Sequence, residues 1–414
     1  MDKNARLLAA ALAATALLAA CGGDSDRELT ASAQTFLDKG DTKSATLQLK
    51  SALQKNGQNA QARYLLGSAL LAAGDPVAAA VELRKARELK YDDNKAAPAL
   101  ARALLQHNEA RKLVDEFAAT ELSDAAARAD LKTTLGMAYA VLDDKDKARE
   151  SFKAAQQAVP AYAPASVASA KLKASEGDID GAIFLLDDVL AKNAKDDSAL
   201  LLKGDLLAYS KKDTEGAMQA WRAALAARPN LLAAHVDIIG TALRENKPEV
   251  ARAQLAELKK FHPNHVETRF YQAQLAYMDK DYKATRELTE QVLKITPDNP
   301  LALQLAGAAE FQLKSLLPAE TYFTRALKIQ PSLGLARVML AQTYLRSGQP
   351  NKAVELMEPV VAAPDADPRL VALAAEAALQ AGDTKKSEAL YARAAKSGDP
   401  DPKLRSEEHT SELQ

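Results

Sequence analysis

The chain has 414 residues, and its 54 lysines and arginines nearly balance its 55 aspartates and glutamates. This balance provides no basic excess for nucleic acid, so we expect no nucleic-acid partner. The single cysteine excludes an intramolecular disulfide and a cysteine-based zinc site. Aromatic residues make up only 5% of the chain, whereas strong helix formers abound, and this composition indicates an all-α protein.

The N-terminus has the pattern of a secretory signal. Lys3 and Arg6 provide a positive start, and an apolar stretch runs from Leu7 to Ala20. This stretch is shorter than the roughly 20 residues that a membrane-spanning helix needs, and small residues precede its end. We therefore expect residues 1–20 to be a signal peptide that is cleaved.

The single cysteine, Cys21, lies at the end of the motif LAAC (18–21). This motif resembles the bacterial lipobox, in which the cysteine is acylated and becomes the first residue of the mature chain. The resemblance implies a lipid anchor on Cys21, no other cofactor, and a flexible linker over 21–27. Because Gly22 and not aspartate follows the cysteine, the resemblance also implies the outer rather than the inner membrane, with the chain facing the periplasm. An ordinary signal peptide with an incidental cysteine is the alternative.

A 34-residue period runs through the rest of the chain, and three markers share it. Prolines recur at Pro160, Pro229, Pro263, Pro297 and Pro331. Gly-Asp pairs begin at Gly40, Gly74, Gly177 and Gly382. Alanines occupy one position of the period at Ala45, Ala79, Ala148, Ala182, Ala251, Ala319 and Ala353. This pattern resembles the tetratricopeptide repeat, a helix–turn–helix unit, and predicts a superhelical solenoid over 28–404.

We count about eleven repeats, and their markers have physical roles. Their starts are expected near 26, 60, 94, 129, 163, 197, 232, 266, 300, 334 and 368. Small residues such as Gly136 and Gly307 are expected to face the partner helix, while Gly-Asp ends the first helix and caps the second. The third repeat is degenerate, because the segment from Leu104 to Phe117 lacks the usual alanine and aromatic marks, and we expect a shortened second helix there.

A partner-binding groove is expected on the first helices, because in this repeat family they line a concave face that commonly receives peptide segments. Its candidate residues are Tyr64, Lys171, Asp205, Tyr209, Arg244, Phe270, Gln274, Tyr277, Gln304, Phe311, Gln342 and Arg346. They combine polar groups with aromatics expected to be exposed, the side chains that serve as anchors in recognition. The alternative for each residue is that it solvates the groove or packs between repeats.

The sequence contains no pattern typical of a catalytic or metal site. The one close histidine pair, His262 and His265, offers too few ligands and lies in a turn between repeats. No glycine-rich phosphate loop and no nucleophile elbow occurs. We therefore expect a protein-binding chain with no catalytic residues, no metal and no enzymatic activity.

Two stretches carry a closer resemblance. The runs AVELRKARELKYDDNKAAPALARALLQHNEARKLVDEF (80–117) and LLLKGDLLAYSKKDTEGAMQAWRAAL (200–225) are similar to the tetratricopeptide lipoproteins of exosortase/PEP-CTERM systems, the PrsT type. This resemblance implies a scaffold in exopolysaccharide biosynthesis or PEP-CTERM protein sorting in a Gram-negative bacterium. Two alternatives stay open. The chain is a scaffold for outer-membrane protein assembly or pilus biogenesis, or it is the binding region of an enzyme whose catalytic domain lies further on.

The final ten residues, RSEEHTSELQ (405–414), are unlike any repeat. They resemble the translation of a sequencing adapter, and members of the lipoprotein family are longer. We therefore expect 405–414 to be an artefact and the true chain to continue past 404; a natural polar terminus is the alternative. The last repeat, 368–404, is then expected to fray because its next neighbour is missing.

Overall fold

A computed structural model describes residues 25–396 of the chain. Over this range the regular elements are 22 α-helices and one π-helical turn, without a strand. The all-α prediction is confirmed. The predicted signal peptide, Cys21 and the predicted adapter tail at 405–414 lie outside the described residues.

The chain divides into two compact units between Leu206 and Leu207. The first unit contains α1 to α11. Their bounds are Asp26–Asp38, Thr42–Lys55, Ala60–Ala72, Pro76–Glu88, Asp93–Gln106, Ala110–Phe117, Ala125–Val141, Lys145–Ala158, Ala163–Ser175, Ile179–Lys192 and Asp197–Asp205. A π-helical turn, Leu206–Lys211, follows α11.

The second unit contains α12 to α22. Their bounds are Thr214–Ala227, Leu232–Arg244, Pro248–Phe261, Val266–Met278, Tyr282–Ile295, Pro300–Gln312, Leu316–Ile329, Gly334–Arg346, Pro350–Val361, Pro368–Gln380 and Thr384–Lys396. Taken in pairs within each unit, α1 to α10 form repeats 1 to 5 and α13 to α22 form repeats 7 to 11, whereas α11 and α12, which the sequence assigns to repeat 6, belong to different units. The first helices of the repeats begin within four residues of the predicted starts. The prediction of stacked tetratricopeptide repeats is confirmed within each unit.

The Gly-Asp pairs form the turns inside repeats, as predicted. Gly40 has a φ of 77°, a left-handed conformation that glycine adopts without a Cβ penalty and that ends α1. The carboxylate of Asp41 then accepts a hydrogen bond of 3.0 Å from the Ser44 N–H and caps α2. Each marker proline follows the last residue of a second helix by two positions, because proline cannot continue a helix.

The core follows the alanine and glycine marks. The seven marker alanines are fully buried. Gly307 in α17 lies against the Phe323 ring of α18, so close that an added Cβ would be 2.7 Å from a ring carbon. Gly136 lies against Phe152 in repeat 4 in the same way. Small residues on first helices therefore make room for large ones on second helices, and such sites tolerate little added volume.

Repeat 3 confirms one expectation and corrects another. Its second helix, α6, has only 8 residues, as a shortened helix predicts. However, the aromatic mark is present. Phe117 is fully buried, and it lies 34 residues after Leu83 and 35 before Phe152, which fill the same position in repeats 2 and 4. Phe117 is hard to recognise as the aromatic marker in the sequence, because Leu113 replaces the alanine that usually precedes this marker by four residues.

The predicted linker over 21–27 is too long at its C-terminal end. Helix α1 begins at Asp26, because Ser25 and Glu28 form a capping box. The Glu28 N–H donates to Ser25 Oγ at 3.2 Å, and the Ser25 N–H donates to Glu28 Oε2 at 2.6 Å. Between Ser25 and Lys396, no helix combines the length and apolar character that a membrane span requires.

A candidate partner-binding strip on the first helices

The twelve predicted groove residues all lie on first helices of repeats or on the π-helical turn that follows α11. We call them the first-helix strip. Tyr64, Lys171 and Asp205 lie in the first unit, on α3, α9 and α11. The other nine lie in the second unit, on the π-helical turn and on α13, α15, α17 and α19.

In the first unit, the aromatic member of the strip is a packing residue. Tyr64 is half-buried, and its ring stacks on Tyr91 with centroids 4.7 Å apart and planes 20° apart. Burial, as the main cause, raises the pKa of Tyr91. Lys171 is exposed and Asp205 is half-buried. The first unit therefore contributes charged groups to the strip, whereas Tyr64 joins repeats 2 and 3.

The strip in the second unit begins with an aromatic–cation pair. Tyr209 is half exposed, and its hydroxyl donates to Asp237 Oδ1 at 3.2 Å. The Arg244 guanidinium lies 5.7 Å from the centre of the Tyr209 ring, and its Nη2 donates to Thr241 Oγ1 at 2.8 Å. Partial burial and, second, the Asp237 charge raise the pKa of Tyr209. The structure thus brings two predicted residues together.

Sequence reasoning missed three residues beside this pair: Asp237, Gly240 and Tyr271. The Tyr271 hydroxyl donates to the Val236 carbonyl at 3.3 Å, and burial raises the pKa of Tyr271. A Cβ on Gly240 would lie 3.1 Å from that hydroxyl, so glycine leaves the space open. The sequence could have indicated Asp237 and Gly240, because positions 237, 240 and 244 have the three- and four-residue spacing of one helix face, on which Arg244 was already predicted.

The expectation that Phe270, Tyr277 and Phe311 are exposed anchors is wrong, because all three are buried. They pack in the core of the second unit, where removal of their large apolar surface from water is favourable. Burial raises the pKa of Tyr277 to about 12. The exposed Arg346 places its guanidinium 4.0 Å from the centre of the Phe311 ring. The group that faces solvent here is therefore the Arg346 guanidinium, and the Phe311 ring lies beneath it.

Two amide oxygens of the strip are buried without a hydrogen-bond partner among the described residues. They are Oε1 of Gln274 on α15 and Oε1 of Gln304 on α17, in the consecutive repeats 8 and 9. A buried polar atom that lacks a partner costs roughly 1–3 kcal/mol relative to a satisfied one. Such atoms are uncommon in folded proteins, so each requires an explanation.

The histidine pair has structural contacts. His262 Nε2 donates to the Asn230 carbonyl at 2.8 Å, and His265 Nδ1 accepts from the Glu267 N–H at 3.3 Å at the start of α15. The two rings lie 6.2 Å apart. Within 25–396, no group of three or more histidine, cysteine, aspartate and glutamate side chains is placed to hold a metal ion.

Comparison with known families identifies the repeat. Two family models, both described as tetratricopeptide repeat, match the chain; one covers 30–94, 167–231 and 241–300, and the other covers 318–375. Together they cover more than half of the chain. The chain therefore belongs to the tetratricopeptide-repeat family, whose repeats stack to present protein-binding surfaces. No curated protein matches the sequence significantly.

Several solved structures are similar to the chain at low identity. A tetratricopeptide repeat protein from Parabacteroides merdae is 13% identical, with a TM-score of 0.44, covering 65% of this chain and 99% of its own. PilF of Pseudomonas aeruginosa is 19% identical, with a TM-score of 0.47, covering 53% and 99%. Yeast Tom70 is 14% identical, with a TM-score of 0.40, covering 94% and 91%.

Proposed function

We propose that this protein is a lipid-anchored scaffold in the periplasm of a Gram-negative bacterium. Cys21 carries the lipid, and the part of the first-helix strip in the second unit binds proteins of an exopolysaccharide biosynthesis or PEP-CTERM protein-sorting system. Three observations support the proposal: the tetratricopeptide repeats, the LAAC motif at the end of a signal-like N-terminus, and the similarity of 80–117 and 200–225 to the lipoproteins of such systems.

The unpaired oxygens of Gln274 and Gln304 carry the partner-binding part of the proposal. An acceptor that is already removed from water gains a full hydrogen bond when a partner brings an N–H or O–H donor, and it has little hydration to lose. The same strip presents the Tyr209–Arg244 pair and the Arg346 guanidinium, which are groups enriched in protein interfaces. Together they favour a polypeptide that offers both backbone N–H groups and carboxylates.

A variant pair separates binding from folding. Gln274→Met and Gln304→Met remove the two amide oxygens at nearly constant shape. Since neither oxygen has a partner among the described residues, thermal stability should be unchanged or slightly higher, while partner capture falls about tenfold or more. Gln48→Met is the matched control, because Gln48 is also half-buried but lies on the second helix α2, outside the strip, and it should retain capture. Full capture by the double variant would contradict the binding role of these residues.

The identity of the bound proteins is tested by purification from native membranes. Crosslinked complexes should contain proteins of polysaccharide export or of the exosortase system, and the Gln274→Met/Gln304→Met variant should lose them. Recovery of pilus or outer-membrane assembly proteins instead would favour the alternative client and reject the one proposed.

The anchor is tested at Cys21. Growth with an alkyne analogue of palmitate should label the wild-type chain and leave Cys21→Ser unlabelled and unprocessed. A Cys21→Ser protein that is processed and retained in membranes normally would contradict lipidation at this residue. This experiment is independent of partner capture, so the anchor and the binding strip can fail separately.

A further inference from the structure

We propose that the outer face of α2 and α4 lies on the anionic lipid surface that holds the anchor. This inference rests on the proposed lipidation of Cys21. The face consists of Lys43, Leu47 and Lys50 on α2 and of Val77, Val81 and Lys85 on α4, and we call it the Leu47–Val81 face. It belongs to repeats 1 and 2 and contains no residue of the first-helix strip.

The apolar part of the face is exposed. Leu47 is 66% exposed, and Val77 and Val81 are each 50% exposed. Leu47 and Val81 are equivalent, since they lie 34 residues apart in successive repeats, and Val77 lies one helical turn before Val81. Neighbouring repeats therefore present aliphatic side chains at the same level of their second helices, away from the buried Leu49 and Leu83.

Three lysines flank these aliphatic residues, and an exposed aspartate, Asp41 or Asp75, precedes each of the two helices. Helix α2 contains three lysines and no acidic residue. Lys43, Lys50 and Lys85 are exposed, and none of them forms an ion pair with another described residue. By contrast, Glu82 of α4 is held by Arg63 at 2.6 Å. The face therefore offers unpaired ammonium groups beside exposed aliphatic side chains, although Glu88 is also exposed at the end of α4.

The tether between the proposed anchor and the described structure is short. Cys21 precedes Ser25 by four residues, so it is at most about 14 Å from the first described residue along an extended chain. Asp26 accepts a hydrogen bond of 2.9 Å from the Asn56 side chain, which brings the C-terminal end of α2 next to the start of α1. Along α2, Lys50 is about 9 Å and Leu47 about 14 Å from Asn56.

These properties together match the chemistry of a bilayer surface. A helix that lies in the interfacial region combines apolar side chains that enter the acyl boundary with lysines that contact phosphate groups. Anionic lipids attract basic residues only within about a Debye length of the surface, so the short tether from Cys21 is needed to keep the lysines in range. Contact at this face would orient repeats 1 and 2 on the membrane.

The test uses fluorescence quenching with a chemical tether. The chain beginning at Cys21 keeps every described residue, and its single cysteine can be coupled to a maleimide phospholipid in vesicles. Leu47→Trp is compared with Phe184→Trp, which occupies the equivalent position of repeat 5 and is also 66% exposed in the native chain. Trp221 is fully buried and provides a constant background. The vesicles contain phosphatidylglycerol, and brominated lipid is the quencher.

We expect bromolipid to quench about half of the added emission in Leu47→Trp and less than about a tenth in Phe184→Trp. Replacing phosphatidylglycerol by phosphatidylcholine, or introducing Lys43→Glu, Lys50→Glu and Lys85→Glu together, should reduce quenching to the control level. Equal quenching at the two positions, or none at either, would overturn the proposal. Quenching that is unaffected by lipid charge and by the triple variant would reject the anionic surface as the occupant.

The tether makes this result independent of acylation in cells. If Cys21 is not labelled by the palmitate analogue, the proposed anchor fails whatever the vesicles show. If Cys21 is labelled but Leu47→Trp is not quenched, the anchor stands and only the membrane-facing surface is rejected.

Discussion

Repeat 9 and repeat 3 both bury a phenylalanine of the second helix against the first helix, but the two repeats differ in the residue that faces the ring and in the length of the second helix. In repeat 9, Gly307 on α17 makes room for the ring of Phe323 on the 14-residue helix α18. In repeat 3, Ala101 takes the glycine position, and Phe117 takes the aromatic position on the 8-residue helix α6. Both phenylalanines are fully buried. The buried aromatic is therefore retained even where the glycine and the helix length are not.

The short second helix of repeat 3, α6, is followed by a loop and a helix that pack where a longer α6 would lie. Leu122, in the loop after α6, is buried, and α7 begins at Ala125, four residues ahead of the expected start. The Arg128 guanidinium donates to the carbonyls of Leu122 and Ser123 at 2.8 and 2.9 Å. A loop and an extended next helix thus fill the volume that the second helix leaves open.

Removal of the shared aromatic should have the largest effect. Phe117→Ala and Phe323→Ala should each lower the free energy of unfolding by about 3–5 kcal/mol, because each removes a fully buried ring and leaves a cavity. Urea denaturation of both variants measures the loss, and Phe117→Leu is the milder control at about 1 kcal/mol. A loss below about 1 kcal/mol for Phe117→Ala alone would show that repeat 3 does not depend on this anchor.

The glycine position should be sensitive to opposite substitutions in the two repeats. Gly307→Ala should cost about 1–3 kcal/mol, since the new Cβ would lie 2.7 Å from the Phe323 ring. Ala101→Gly should also be destabilising, by about 1 kcal/mol, because glycine is the poorer helix former. Gly334→Ala is the control, with no atom within 4 Å of the added Cβ, and should be neutral or stabilising in thermal melts. Equal effects at 307 and 334 would contradict close packing at Gly307.

Histidine burial distinguishes the second unit from repeat 3. His235 in α13 is buried, its Nε2–H donates to the Pro229 carbonyl at 2.9 Å, and its Nδ1 accepts from Gln254. Burial lowers its pKa below the ordinary value of about 6.5. The unfolded chain therefore binds the proton first, and stability should fall as the pH drops below about 6.5.

Urea midpoints between pH 7.5 and 5.5 measure this dependence. His235→Gln should flatten the profile, and His107→Gln, at an exposed position beside α5 in repeat 3, is measured with it as the comparison outside the core. An unchanged slope in His235→Gln would exclude His235 as its source.

The smallest effect is expected at the turns inside the repeats. Lys314 in repeat 9 and Asn108 in repeat 3 both adopt left-handed conformations, with φ of 63° and 59°. Lys314→Gly should raise the free energy of unfolding by about 0.5–1 kcal/mol, because it relieves the Cβ penalty. Asn108→Gly should gain less, because asparagine tolerates this conformation better. A larger gain at 108 than at 314 in denaturant titrations would reverse the comparison.

Much of the candidate site could be placed from the sequence, but its exposure could not. The period assigned Tyr209, Arg244 and Arg346 to first helices, and the structure pairs the first two and sets the third over Phe311. Phe311 and Tyr277 were expected at the surface, yet they are buried. Helix position is a local property, whereas burial depends on how closely the next repeat packs. The oxygens of Gln274 and Gln304 illustrate the same limit, since an unpaired atom is defined by its surroundings.

By itself, the sequence determined the repeat length, the helix starts and the turns, because these depend on residues that act within one or two helical turns. Gly40 and Asp41 end one helix and cap the next without help from distant residues. Only the tertiary structure decided that Leu113 and Phe117 hold a shortened helix in place, that the strip offers cations and unpaired amide oxygens, and that Leu47 and Val81 remain exposed. These features arise from packing between different helices, and no local pattern encodes the volume that a neighbouring helix leaves free.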